Sequence, residues 1–501
     1  MAGSILFDPS SYEVETIRPG VAVIEIHGTR LTADQVVELS AGGVTVAVTD
    51  DALERVAASQ RFAAEAVTVR EIYGRSTGVG ANRNQVLADP EAQAVGLLRS
   101  HATAAGDLRA PERVRAMLVV RLNQLALGVS GADPAVLHAL TDMINRDALP
   151  PVRELGSLGT GDLPALAVTA LALRGDVVTS KPIGEPVEFG PGDALPFLSS
   201  NAATIADALL AAARLRTVAQ AALVVAAASY LAVDGNSEAF AAAVEQATPF
   251  EGARLVCATM RRLVAGSPTA RRIQDPFALR TLPQVHGALL DALDRLESVA
   301  VLLANAASEN PVLSPEHGIA HHGGFHVAYL AQALDLATLA TAQAAQLSLA
   351  RLTMLSEPAI TGRPSFLGDG TAGASGIMMA EYTAAGALAE LRALATPASL
   401  QTVTLSRGVE EDASFASLGA RQALDSVQAY RTVVAAELLA AVRCLRQRGL
   451  SPEPLAGLLA ACTGLSTDDA DRNLTSDLVL AQSLVDGLAQ IMSSSGRSSS
   501  A

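Results

Sequence analysis

A mainly α-helical protein, with a central bundle of long helices and a smaller N-terminal domain carrying short strands, is what the 501-residue sequence predicts. Three observations lead there. Apolar residues make up 50% of the chain but aromatics only 3%, and Trp is absent, so Ala and Leu must build the core and small side chains let long helices approach closely. Ala/Leu-rich runs recur through the second half, several of about 30 residues, far above the usual mean of roughly 11 to 12. Strand-like patterns are confined to the opening and to one later stretch.

Taken in order, VAVIEIHG (21–28) and GVTVAVTD (43–50) are short β-prone runs bounded by Pro, Gly and Asp. Helical periodicity takes over at Asp51 in DALERVAASQRFAAEAV, then in DPEAQAVGLLRSHATAAG and PERVRAMLVVRLNQLALGVSG, each begun by Asp or Pro and closed near Gly. A second group of strands and turns is expected in DVVTSKPIGEPVEFGPGDALP (176–196), which also marks the domain boundary. Long helices follow at 201–232, 280–307, 325–356, 376–395 and 413–447. They are apolar over much of their circumference, which suggests a bundle covered on several sides within an oligomer. The division is therefore 1–195 for the loop-bearing domain, 196–490 for the long-helix bundle, and 491–501 for a Ser-rich tail expected to be disordered.

Composition also removes several functions. A formal charge of −15 without a Lys/Arg run excludes phosphate-backbone tracking, so no nucleic acid is expected as a partner. Cys257, Cys444 and Cys462 are few and widely spaced, giving neither a disulfide framework nor a zinc pattern and fitting a reducing, cytoplasmic setting. The opening MAGSILFDPSSYEVE lacks a basic region followed by a long apolar core, so no signal peptide is expected. AALVVAAASYLAV (221–233) is shorter than the roughly 20 residues of a membrane span and reads as a buried helix.

Three loops concentrate Gly and polar residues: YGRSTGVGANRN (73–84), ELGSLGTGDLPALA (154–167) and HHGGFH (321–326). Glycines let a backbone turn tightly and approach another group, so each is a candidate pocket lining; singly, each also suits an ordinary turn. GVGANRN is no phosphate loop, because no strand precedes it and no Lys-Ser/Thr follows. His317, His321, His322 and His326 cluster near Glu316, but Gly323 and Gly324 interrupt any helix, and no metal is expected.

Together these segments resemble the aromatic amino acid ammonia-lyases and aminomutases, a family that includes the histidine ammonia-lyases. YGRSTGVG is similar to the family's Tyr-Gly-x-x-Thr-Gly-Phe-Gly, LLRSHATAAG to its Leu-Ser-His-Ala-Ala-Gly, and RAMLVVRLNQLALGVSG to its Arg-Ala-x-Leu run ending Gly-x-Ser-Gly. QDPFALRTLPQVHG, ENPVLSP, GGFH, and EEDASF ahead of an Ala-Arg pair complete a series in the family's order, over about residues 50–445.

The resemblance implies the ammonia-lyase fold, a homotetramer whose sites are completed by loops from more than one subunit, and a carbon-nitrogen lyase or aminomutase acting on an aromatic L-amino acid. The chemistry is demanding: the β-proton is hardly acidic and the amine leaves poorly, so a base and an electrophile must act together. In the family the electrophile is a methylidene-imidazolone formed autocatalytically from Ala-Ser-Gly within Gly-Ser-x-Gly-Ala-Ser-Gly-Asp-Leu. Here Gly156-Ser157-Leu158-Gly159-Thr160-Gly161-Asp162-Leu163 is one residue shorter. Gly159, Thr160 and Gly161 stand in the tripeptide's place, and dehydration of Thr160 would leave an ethylidene. Two outcomes stay open: ring closure, for which Gly161 supplies an unhindered amide, or an uncyclised loop in an enzyme of the same fold catalysing a different elimination or addition in specialised metabolism. A non-catalytic binding homologue is a third reading, against which Tyr73, Arg280 and Glu410 speak.

By the same resemblance Tyr73 is the general base, although a phenol has a reference pKa near 10 and needs neighbouring positive charge to ionise; a packed, helix-capping Tyr is the alternative. Arg280 clamps the substrate carboxylate, or is a surface ion-pairing Arg. Asn310 and Gln284 give polar support and Phe325 a wall for the ring. Ser199 in FLSSN stands where the family has Asn, with Asn201 two positions on, and Phe277 stands where the family has Tyr. Ser100-His101 and Glu410 match the histidine enzymes, and a carboxylate at 410 suits an imidazole better than a phenyl ring, unless it only braces the pocket.

Overall fold

The computed structural model describes residues 22–267 and 269–494. The two opening runs form Val23–Ile26 and Thr45–Val48, paired in parallel with Val23 opposite Thr45. The Ala33–Ser40 helix joins them, begun by a capping box in which Thr32 and Gln35 satisfy each other's backbone N–H. Asp50 and Asp51 open the Asp50–Ala66 helix, where their charge favours the positive end of the dipole. Pro90 and Pro111 occupy the first turns of Pro90–His101 and Pro111–Leu125, positions where a missing N–H costs nothing.

The long helices are Ala202–Ala232, Leu282–Ala304, Ala328–Leu355, Met378–Leu394 and Ala416–Gln447. Ala416–Gln447 is the central member, packing against Ala202–Ala232, Ala328–Leu355 and Met378–Leu394. Almost every residue of Ala202–Ala232 is buried, on all sides of the helix, which is why its apolar residues show no single stripe. The segment Ala194–Ala232 is long and apolar enough by composition to cross a membrane, more than the 221–233 run alone suggests, but most of it lies inside the protein core.

Around 176–196 the expected strands are absent. Pro182 and Pro186 fall between Val177 and Val187, and Pro191 follows Phe189; none can donate to a ladder, and the chain instead runs as a loop pinned by Ser180 N–H to the Leu149 carbonyl and Val187 N–H to the Leu173 carbonyl before the Ala194–Leu198 helix. Two strand pairs lie elsewhere: Ala105–Leu108 with Arg153–Leu155, and the hairpin of Val312–Ser314 with Gly318–Ala320. One continuous apolar core runs from Ile26 to Leu488, across the boundary drawn at 195. The Thr475–Ser494 helix extends into the stretch read as a tail; residues 495–501, like residues 1–21, lie outside the described residues.

At the heart of the bundle Arg351 and Glu437 are 2% and 0% exposed and form a bidentate pair, Nε to Oε1 at 2.6 Å and Nη2 to Oε2 at 2.9 Å. Ser229 Oγ donates to the same carboxylate at 2.7 Å, and Arg351 Nη1 donates to the Ala278 carbonyl at 3.2 Å. Removing one partner strands a buried charge. Arg351→Met is expected to lower unfolding stability by about 3–5 kcal/mol in urea titrations, and Arg351→Met/Glu437→Leu to recover most of that loss; equal losses in the single and double variants would contradict the pairing.

Candidate active site

Tyr73 leads a tight loop whose return strand is set by the Thr77–Val86 bridge and by Gly78 N–H on the Gln85 carbonyl at 2.9 Å. The loop folds back so that Gly80 N–H donates to the Tyr73 hydroxyl at 2.8 Å. Gly80 has φ +53, and a Cβ there would meet Ser406 Oγ at 2.8 Å and Glu410 Oε1 at 3.2 Å. The Glu410 carboxylate thus lies over the same turn that holds Tyr73. His321 closes the other side, its Nε2 accepting the Tyr73 N–H at 3.4 Å and its ring standing edge-on to the phenol. Burial pushes the Tyr73 phenol up, and Glu410 adds to this; the Gly80 N–H and Arg83 pull it down.

The Gly159–Gly161 segment is fastened from two directions. From above, the start of the central helix presses on it: Phe415 N–H donates to the Leu158 carbonyl at 2.8 Å, Ser414 Oγ to the Gly159 carbonyl at 2.8 Å, and Ser417 Oγ to the Ser157 carbonyl at 2.8 Å. From below, Gly161 N–H donates to Asn201 Oδ1 at 3.0 Å. Asp162 is 1% exposed and accepts from Ser157 Oγ at 2.6 Å, Thr204 N–H at 2.7 Å and Thr204 Oγ1 at 2.9 Å. Burial raises the Asp162 pKa despite these donors. Thr160 is half-buried between Gly159 and Gly161.

Both groups that ring closure would join are held by partners of suitable polarity, a donor on the Gly159 carbonyl and an acceptor on the Gly161 amide. These residues accommodate an imidazolone-type group. They do so only with glycine first: φ at Gly159 is +85, and a Cβ there would lie 2.2 Å from Ser414 Oγ and 2.8 Å from the Ala416 nitrogen.

Residues 199–201 and 309–326 bridge the two loops. Asn201, 0% exposed, holds Gly161 and donates its Nδ2 to the Phe325 carbonyl at 2.6 Å, so it contacts the Gly159–Gly161 segment directly. Ser199 instead accepts the Asn310 N–H at 3.0 Å. Asn310 Oδ1 accepts the His322 N–H at 2.9 Å, and Asn310 lines a small cavity with Tyr73, Arg75 and Glu309. His326 lies 3.3 Å from Asp412, tying the Gly-Gly-Phe-His turn to the Glu410 segment. The histidines are thus each directed to a different partner, and among the described residues no metal-holding group forms.

Other candidates lie apart. Arg280 sits on the short Phe277–Arg280 helix with its guanidinium 4.5 Å from the Phe277 ring centroid, while its Nε is buried without a hydrogen-bond partner. Phe277 is 66% exposed and Gln284 is exposed one turn further on. Ser100 and His101 end the Pro90–His101 helix, bonded to each other at 3.0 Å and to the Leu97 carbonyl. Within one chain none of these five hydrogen-bonds to Tyr73, Glu410 or the Gly159–Gly161 segment. Ser414 is the site residue that sequence reasoning passed over, although it stands inside the quoted EEDASF motif.

Gly159→Ala is expected to cost about 1–3 kcal/mol through overpacking, and adding Ser414→Gly to recover part of it, measured by urea unfolding. An unchanged midpoint for Gly159→Ala would show that the segment has room after all.

Comparison with known proteins gives the family and the fold. The model of the family described as aromatic amino acid lyase matches residues 31–464. The histidine ammonia-lyase of Streptomyces griseus is 32% identical over 495 residues, covering 92% of this chain and 96% of that protein. The histidine ammonia-lyase of Caldanaerobacter subterraneus subsp. tengcongensis is 33% identical over 451 residues, covering 85% and 88%. Among solved structures, the tyrosine aminomutase of Streptomyces globisporus superposes with a TM-score of 0.87 at 27% identity, covering 96% of this chain and 99% of that one. A match of this extent in sequence and in fold is decisive: the chain belongs to the aromatic amino acid lyase family.

Proposed function

We propose that this enzyme, a carbon-nitrogen lyase by family, eliminates ammonia from a histidine-like L-amino acid. The observation that carries the reading is the placement of the Glu410 carboxylate over the turn that holds Tyr73, on the same stretch of chain as Ser414, which fastens Gly159. A carboxylate beside the base is an unfavourable neighbour for an apolar ring and a natural partner for an imidazole or ammonium. The two histidine ammonia-lyases at 32% and 33% identity support the same choice.

In this reading the Tyr73 phenolate takes the β-proton, the C–H electron pair becomes the Cα=Cβ bond, and the amine departs with its own electrons. An imidazolone built from Gly159, Thr160 and Gly161 supplies the electrophilic carbon that makes amine departure feasible. Asn201 and Ser414 hold that segment, Phe325 walls the ring, and Asn310 with Ser199 shapes the floor. Glu410 has a second effect. Its charge raises the Tyr73 pKa in the free protein, and a substrate cation paired with it cancels that push, so binding itself favours ionisation of the base.

Arg280 binds the substrate carboxylate from a neighbouring subunit. Its unpartnered buried Nε and its separation from Tyr73 within one chain support this, as does the exposure of Tyr329, Leu336, Leu339, Met379 and Tyr382 on two long helices. The assembly proposed is a homotetramer in the cytoplasm, where free amino acids and a reducing environment suit three unpaired thiols.

L-histidine is expected to give a conjugated product seen by its ultraviolet absorbance, in preference to tyrosine and phenylalanine. Glu410→Gln is expected to lower kcat/KM for histidine by roughly ten- to a hundredfold, the worth of a hydrogen bond to a charged group. No turnover of any of the three, together with an intact mass equal to that encoded, would transfer the site to a different elimination or addition without an imidazolone.

The pH profile gives a further check. Arg83 lowers the Tyr73 pKa, so Arg83→Gln raises it; a base that works deprotonated then needs higher pH, and the rising limb of kcat/KM is expected to move upward. A limb that stays or moves downward would remove Tyr73 from the role of base.

A further inference from the structure

Ser414 is 4% exposed and its Oγ donates to the Gly159 carbonyl at 2.8 Å. The same oxygen stands 2.2 Å from where a Cβ at 159 would be, so the hydroxyl occupies the room that a first-position side chain would need. Across the segment, Asn201 Oδ1 accepts the Gly161 N–H at 3.0 Å. The carbonyl that must become electrophilic therefore faces a buried hydroxyl donor, and the amide that must become nucleophilic faces an acceptor. A donor aimed at an oxygen that gains negative charge acts as an oxyanion hole does.

We propose that Ser414 is a catalytic residue for this protein's own maturation, donating to the Gly159 carbonyl oxygen while the Gly161 amide attacks. The inference rests on the reading that Gly159–Gly161 closes to a ring. The Gly161 nitrogen forms a bond to the Gly159 carbonyl carbon, and the π pair moves onto the oxygen facing Ser414. That oxygen leaves as water with the hydrogens of the Gly161 and Thr160 amides, and a C=N bond forms to the Thr160 nitrogen. The second water combines the Thr160 hydroxyl with its α-hydrogen, leaving the exocyclic C=C bond. No oxidant or other reactant enters.

The neighbouring Ser417 provides the control, because its Oγ anchors the same segment through the Ser157 carbonyl at 2.8 Å without touching Gly159. Intact masses of the full-length wild type, Ser414→Ala, Ser414→Cys and Ser417→Ala are compared after equal times from expression, with circular dichroism and thermal melts as checks of folding. Wild type and Ser417→Ala are expected to be lighter than encoded by two waters. Ser414→Ala is expected to dehydrate roughly a hundredfold more slowly, as for removal of one oxyanion donor, and Ser414→Cys to fall between. Full dehydration of folded Ser414→Ala would overturn the role of Ser414 while leaving ring closure in place. Retention of the encoded mass by Ser417→Ala as well would reduce Ser414 to an anchor and overturn the proposal. An undehydrated wild type would overturn ring closure itself, and the role of Ser414 with it. If Ser414→Ala does not fold, Ser414→Cys decides: dehydration at the wild-type rate overturns the proposal, and slowed dehydration supports it.

Discussion

One fully buried guanidinium holds the site's scaffolding in register. Arg121, 0% exposed on the Pro111–Leu125 helix, donates to the Pro196 carbonyl at 2.5 Å, the Phe197 carbonyl at 3.2 Å and Glu309 Oε1 at 2.9 Å. The first two contacts fix the turn that leads into Ser199 and Asn201, and the third fixes the residue before Asn310. Burial pulls the Arg121 pKa down and Glu309 pulls it back up, so removing Glu309 would leave a buried guanidinium charge without its counter-charge. These two strands of chain carry one set of links between the Tyr73 loop and the Gly159–Gly161 segment, and the Glu410–Ser417 stretch carries the other.

The site is electrostatically conflicted by construction. The Tyr73 phenol is buried, and the Glu410 carboxylate opposes its ionisation; Asp162, next to the Gly159–Gly161 segment, is also pushed toward its neutral form. Such conflicts are poor for stability and characteristic of sites whose charges are completed by something that binds. The Arg351–Glu437 pair shows the opposite arrangement, with both charges satisfied inside the chain.

Much of this was legible in the residues alone. The long helices were readable because Ala/Leu runs interrupted by Gly, Pro and Asp leave few alternatives, and their ends fall within a few residues of those expected. The 176–196 stretch misled because its valines carry strand propensity while its prolines deny the ladder, and periodicity cannot weigh one against the other. Glycine placement marked the loops of Tyr73 and of Gly159–Gly161 as candidates, and the family resemblance singled out the residues within them. Asn201 was harder, since its contact depends on where the Ala202–Ala232 helix begins. Ser414 was invisible as a partner of Gly159 because 255 residues separate them, and no local pattern encodes a contact that only tertiary packing creates. Arg280 illustrates the remaining limit: within one chain its guanidinium lies against the Phe277 ring and makes no hydrogen bond to Tyr73.

The crowding at Gly159 couples two positions far apart in sequence. The hydroxyl of residue 414 and the Ala416 nitrogen fill the volume that a side chain at 159 would need. The two positions therefore constrain each other: a larger residue at 159 calls for a smaller one at 414 or a displaced start of the central helix, so the loop and the helix that covers it form one packing unit.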